Sequence, residues 1–251
     1  YLSVISELHT GELFNKETNR RIKALVPMHT FGHAVELEEL QVICEKYHLI
    51  LVEDAAESLG TYYKGKQTGS FGKVSAVSFN GNKIMTTGGG GAILTDDEAL
   101  ADYAKHITTT AKVPHRWEFE HDEVAFNYRL PNINAALGCA QLEKMPEFIK
   151  QKRALTAFYE ELVAPLEGVT LFKEPANSFS NYWLQTLILD DTLVRDDILA
   201  FLNNHGVMSR PIWTPLHKLK PYRDCPRADL STIERLNKKI INIPSTPIKE
   251  G

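Results

Sequence analysis

The chain has 251 residues, and 28 basic against 32 acidic side chains give it a formal charge of −4. That length holds one large α/β unit or at most two domains, and a hydrophobic content of 43% with 24% charged residues excludes a disordered or fibrous chain. No apolar run approaches the ~20 residues of a membrane span, which argues against an integral membrane protein, and a pI near 6.2 gives no basic footprint for nucleic acid.

Residues 1–22 are mixed and polar, without a sustained period, and predict no element. Lys23–His29 is a short apolar run. Val35–His48 reads as a helix, because Leu37, Leu40, Cys44 and Tyr47 fall on one stripe while Glu36, Glu38, Glu39 and Glu45 face water. Leu49–Asp54 is an unbroken apolar run ending in acid, the pattern of a strand covered on both faces. Together these predict a β-α-β unit and therefore a parallel sheet.

A Tyr- and Lys-rich loop over residues 61–72 leads to a strand at Val74–Asn80, with Lys83 three residues later. Four glycines, 88–91, precede a strand at Ala92–Thr95 placed to pair antiparallel. Asp96 or Asp97 caps a helix to about Ile107, with Leu100 and Ala104 inward. Residues 108–126 are irregular, with Trp117, Phe119 and Phe126 as expected anchors. Asn132–Leu142 is helical and apolar nearly all round, so both its faces are expected to be covered. A break at Met145-Pro146 introduces a second helix to about Val163. Beyond it come a strand (Tyr182–Leu189), a helix (Asp196–Asn204, ended by Gly206), a strand (Val207–Trp213) and a helix (Leu230–Ile241). This pattern predicts a large domain over 1–146 and a smaller one over 147–251.

The three cysteines, Cys44, Cys139 and Cys225, are far apart and form no C-x-x-C pair, so they read as reduced, mostly packed thiols of a cytosolic protein. The chain starts at Tyr1 without an initiator Met and stops just after a strand-like stretch. We therefore expect a longer parent polypeptide.

Two polar residues emerge from apolar strands. Asp54 ends its strand, and in open parallel sheets the ligand crevice lies just outside the carboxyl ends of the strands. Lys83 follows the next strand by one short turn, among Ser78, Asn80, Asn82, Thr86 and Thr87. An amine held among apolar strands is available as a nucleophile and Schiff-base former. Pyridoxal phosphate requires this pair: a lysine for its aldehyde and a carboxylate for its ring nitrogen. Each residue alone has a blander reading, Asp54 as a turn former and Lys83 as a solvated side chain. Rival motifs fail. Gly72-Lys73 resembles the tail of a P-loop, but Val74 and Gln67 stand where Ser or Thr and the first Gly are needed. His29 and His33 straddle a strand end and Gly32, which argues against a zinc pair. No Gly-x-Ser-x-Gly elbow occurs.

The strings VEDAAESLG (52–60), GSFG (69–72), SFNGNKIMTTGGGGAILTDD (78–97) and NYRLPNINAALGCAQLE (127–143) resemble the DegT/DnrJ/EryC1/StrS sugar aminotransferases of nucleotide-sugar pathways. RPIWTPLHKLKPY (210–222) and NIPSTP (242–247) fit as well. SFNGNK, the glycine run and HRWEFEHDEV (115–124) place the resemblance nearest the legionaminic acid/bacillosamine branch. It implies an α/β chain of PLP fold type I, with a mostly parallel sheet in an α/β/α sandwich and a smaller α+β domain. The implied reaction is amination of C4 of a nucleotide-linked 4-keto-6-deoxy-N-acetylhexosamine, with glutamate as donor. Lys83 is implied as the Schiff-base lysine and proton shuttle. Asp54 pairs with the pyridinium nitrogen, Glu57 reaches the ring hydroxyl and Ser78 binds the phosphate. Asn127 reaches a neighbouring subunit's cofactor, which implies a cytoplasmic homodimer with shared sites. Arg129 and His217 are implied in substrate contact, with surface charge and packing as their rival readings. Lysine rather than histidine at position 83 sides with transaminases over related dehydratases. The family's phosphate loop and its ring-stacking aromatic precede the region seen here. A non-catalytic relative that dimerises or binds sugar nucleotide without the cofactor stays open as the alternative. An unrelated α/β pocket is less consistent with the linked motifs.

Overall fold

A computed structural model of the protein describes residues 1–247. The chain divides into two compact units: residues 2–148 with 175–181, and residues 149–174 with those from 182 onward.

The larger unit begins with one helical turn, α1 (Leu2–Ile5), and an antiparallel sheet of β1 (Ser6–His9), β2 (Glu12–Asn15) and β3 (Arg21–Ile22). Its first turn, Thr10-Gly11, has φ of 49° and 85° and joins the paired residues His9 and Glu12. Two positive φ values suit a two-residue hairpin, because their twist matches that of the strands. Threonine in place of the usual Asn or Asp hides this turn in the sequence.

The central sheet has the order β4-β5-β8-β9. Its strands β4 (Ala24–Leu25), β5 (Ile50–Asp54) and β8 (Val74–Ser78) run parallel, and β9 (Gly91–Leu94) is antiparallel to β8. The crossover helix α2 (Leu37–Tyr47) supplies the predicted β-α-β unit. Leu37 and Cys44 are buried with Leu49, Leu51 and Tyr63, and Leu40 and Tyr47 pack against them. The expected covering of β5 on both faces is corrected: Leu51 and Glu53 are buried, but Ile50 is 44% exposed. The loop at 61–72 contains a hairpin, β6 (Tyr62–Tyr63) and β7 (Lys66–Gln67), turned at Lys64-Gly65 with φ of 48° and 80°. β11 (Ser178–Phe179) pairs antiparallel with β6.

Asp97 caps α3 (Glu98–Thr108), accepting from the Leu100 N–H at 2.9 Å. Three expectations fail nearby. Trp117, Phe119 and Phe126 are 68%, 80% and 51% exposed, so they are not the buried anchors expected. The apolar helix is not covered all round, since Ile133 is 86% exposed. The chain does not break at Pro146: α4 runs unbroken from Asn132 to Val163. A proline forfeits one donor, and long helix-favouring flanks carry that cost.

The smaller unit holds an antiparallel sheet in the order β10-β12-β14-β13: β10 (Val169–Leu171), β12 (Gln185–Leu189), β13 (Arg210–Pro211) and β14 (Ile240–Ile243). It also holds α5 (Arg195–Asn204) and α6 (Ser231–Asn237). The predicted helix at 230–241 is corrected: its last residues belong to β14, whose β-branched run packs Ile241 and Ile243 against Leu189. The strand expected over 207–213 shrinks to two residues. All three cysteines are free thiols, but only Cys44 is packed; Cys139 and Cys225 are exposed. No helix among the described residues is long and apolar enough to cross a membrane.

Candidate active site

β5 ends in two acids that alternate across the sheet. Glu53 points into the core and is fully buried. Asp54 lies on the opposite face, directly across from Ala76 of β8, which is exposed. Ser78 is two residues further along β8, on the same face as Asp54. The Asp54 backbone is pinned on both sides: its N–H donates to the Pro27 carbonyl at 2.9 Å, and its carbonyl accepts from the His29 N–H at 3.2 Å. Its Oδ1 accepts from the Ala56 N–H at 3.2 Å.

The turn after β5 delivers Glu57. Its Oε2 accepts from the Phe31 N–H at 2.8 Å, and its Oε1 lies 3.7 Å from Nζ of Lys83. Phe31 adopts φ of +60° with its ring buried, a conformation a bulky residue takes only when its surroundings hold it there. Those restraints are visible: the carbonyl of neighbouring Gly32 accepts from the hydroxyls of Thr61 and Ser180, each at 2.7 Å. Burial pushes the Glu57 carboxyl above the ordinary range; the Phe31 N–H and Lys83 pull against it, and the charge of Asp54 adds to the rise.

Lys83 is fixed through its loop. Its N–H donates to the Asn80 carbonyl at 3.1 Å, and the Asn80 N–H reaches the Ser78 hydroxyl at 3.3 Å. The lysine was expected among apolar strands. The structure instead turns it toward the Glu57 carboxylate, with its side chain only 13% exposed.

Asp54, Glu57, Lys83 and Ser78 thus gather at the carboxyl ends of β5 and β8. Asn127 and Arg129 belong to the same unit but are exposed. The Asn127 backbone bridges to Thr109, whose carbonyl accepts from the Arg129 guanidinium at 3.2 Å. His217 belongs to the smaller unit, where Nε2 meets the Glu234 carboxylate at 3.0 Å.

Sequence reasoning passed over Glu53 and Phe31 and weighed His29 only as a zinc ligand. Glu53 accepts from the N–H groups of Gly69 (2.7 Å), Phe71 (2.6 Å) and Gly72 (2.7 Å), and from His29 Nε2 at 3.1 Å. Burial alone would raise its carboxyl, but His29 and the three N–H groups outweigh it and hold the acid below the ordinary range. The available signal was an ionised residue inside LILVED, which a buried strand tolerates only with donors waiting.

The donor set suits pyridoxal phosphate: the Asp54 carboxylate, the Ser78 hydroxyl and the Lys83 amine stand at or just after the ends of neighbouring strands. The small side chain of Ala76, directly across from Asp54, is exposed.

Known proteins resemble this chain over most of its length. The sequence profile of the DegT/DnrJ/EryC1/StrS aminotransferase family matches residues 8–249. The chain belongs to this family. It is 42% identical over 195 residues to the putative pyridoxal phosphate-dependent aminotransferase EpsN of Bacillus subtilis, covering 78% of this chain and 50% of that protein. It is 35% identical over 235 residues to a GDP-perosamine synthase of Vibrio cholerae, covering 92% and 64%. Among solved structures it superposes on Helicobacter pylori PseC, an aminotransferase involved in pseudoaminic acid biosynthesis, with a TM-score of 0.85 and 27% identity over 91% of this chain and 63% of that one. The chain therefore spans about half to two-thirds of the length of these relatives. Its fold is the expected α/β class of PLP fold type I, and pyridoxal phosphate is the cofactor of the family.

Proposed function

We propose that the protein containing this chain transfers an amino group to C4 of a nucleotide-linked 4-keto-6-deoxy-N-acetylhexosamine, with glutamate as donor. The amino sugar would enter a cell-surface glycan of the legionaminic acid or bacillosamine type, made in the cytoplasm. One observation carries the reading most: Lys83 Nζ stands 3.7 Å from Glu57 Oε1, and Glu57 in turn feels the charge of Asp54.

When bound, pyridoxal phosphate supplies the electron sink for this chemistry. Lys83 Nζ anchors the cofactor and then moves the proton to and from the sugar carbon; general acid–base transfer of this kind contributes roughly 10²–10⁴-fold. The Asp54 carboxylate would keep the ring nitrogen protonated, Glu57 would hold the ring hydroxyl, and the Ser78 hydroxyl would hold the phosphate. Asn127, exposed beside the Thr109 bridge, suits contact with the cofactor of a second subunit in a homodimer. Arg129 and His217 are the proposed substrate contacts, and both are cationic or proton-bearing groups suited to a diphosphate.

The test is to incubate the full chain with glutamate and a panel of UDP- and GDP-linked 4-keto sugars. Mass spectrometry should show a C4 amine on the N-acetylated substrate and stoichiometric 2-oxoglutarate. Failure to aminate any 4-keto sugar nucleotide would reject the assignment.

A further inference from the structure

The carboxylate of Glu57 cannot swing freely. Its Oε2 is tied to the Phe31 N–H at 2.8 Å, and its own carbonyl accepts from Asn181 Nδ2 at 2.9 Å. The turn that carries it is closed by the Ser58 N–H on the Ala55 carbonyl at 3.1 Å. The Glu57 and Lys83 side chains are only 7% and 13% exposed, so water and salt screen the pair weakly. At 3.7 Å the contact is a charge pair and not a short hydrogen bond. The charged groups acting on Glu57 are Lys83, from the loop after β8, and Asp54, at the end of β5; Phe31 contributes a backbone dipole.

We propose that Glu57 is a positioning residue that, as a carboxylate, restrains Lys83 from reacting with aldehydes until the ion pair opens. This rests on the assignment of Lys83 made above. The physical reason is simple. Only a neutral amine attacks a carbonyl carbon, and a carboxylate held alongside favours the ammonium. Once Nζ has lost its proton, its lone pair forms the bond to the aldehyde carbon. The neutral amine gives up both of its remaining protons, and the carbonyl oxygen leaves with two protons as water. The result is a carbon–nitrogen double bond, with no change in oxidation state. A glutamine at position 57 keeps an oxygen for the Phe31 N–H but removes the charge.

The test uses pyridoxal, which lacks the phosphate and so reports on the lysine and not on the phosphate grip. Capture by the full chain is followed by absorbance, trapped with borohydride and mapped to its peptide, across pH. Glu57→Gln is expected to capture pyridoxal about tenfold faster than wild type at pH 7, because Nζ no longer has to leave a paired carboxylate before it attacks. The two rates should converge at high pH. Glu57→Ser, neutral but of different shape, must show the same acceleration, which guards against a folding defect in one variant. An equal or slower rate at pH 7 in either folded variant overturns the proposal. Lys83→Ala separates the two claims: loss of the trapped adduct upholds the lysine assignment on which this proposal stands, whereas undiminished capture removes that assignment and this proposal with it.

Discussion

Nε2 of His29 donates to Oε2 of Glu53 at 3.1 Å, with both side chains fully buried. The Val35 N–H reaches His29 Nδ1 at 3.3 Å, which leaves Nε2 to carry the proton. The same carboxylate collects the N–H groups of Gly69, Phe71 and Gly72, so one side chain fixes the loop at 69–72 to the strand that ends in Asp54. The site rests on this clamp.

Glu53→Gln should therefore destabilise the protein by about 3 kcal/mol, because its amide would face donors that a carboxylate accepts. The acid's folded value lies below its unfolded one, near 4.3. Its contribution is thus fully present above about pH 5 and is lost as pH falls through the folded value. Urea melts at stepped pH should show that acid-side slope in wild type and not in the variant.

Gly91 sits opposite Ser78, and a Cβ there would lie 2.4 Å from the Val77 carbonyl oxygen. Gly91→Ala should cost about 1–3 kcal/mol. Gly81→Ala, where a Cβ meets nothing within 4 Å, should stay within about 0.5 kcal/mol of wild type. Thermal melts of the two variants check the contrast.

The β-α-β unit and the placing of Asp54 and Lys83 at or just after strand ends were legible because period and position encode them: one apolar stripe on α2, one apolar run in β5, and polar residues at strand ends. The clamp was not. Glu53 and Asp54 look alike in sequence, and only the pleat decides which faces the core. The donors that make Glu53 tolerable are backbone groups, which leave no residue signature. Trp117 and Phe119 misled for a related reason: aromatic character says that burial is favourable but not that a partner surface is near.

Lys152 of the smaller unit donates to the carbonyls of Trp183 at 2.8 Å and Ser245 at 2.5 Å, and burial pushes it down to about 8. The unfolded lysine titrates near 10.4. Between those values the unfolded chain binds more protons, so stability rises with pH across that window. Lys152→Met should erase a rise on the order of 2–3 kcal/mol, read from denaturant melts of both proteins between pH 8 and 10.5.

Asp54→Asn should fold normally, since an amide oxygen can still accept from the Ala56 N–H. A carboxylate beside a cationic ring is worth about 1–3 pKa units. Turnover with glutamate and a 4-keto sugar nucleotide should accordingly fall by about ten- to a thousandfold, with melting unchanged.

Peptide mapping after borohydride treatment of the full chain incubated with pyridoxal phosphate addresses the central assignment most directly. A single reduced adduct on the peptide carrying Lys83, absent from Lys83→Ala, is the predicted result. An adduct on another lysine, or none at all, would contradict it.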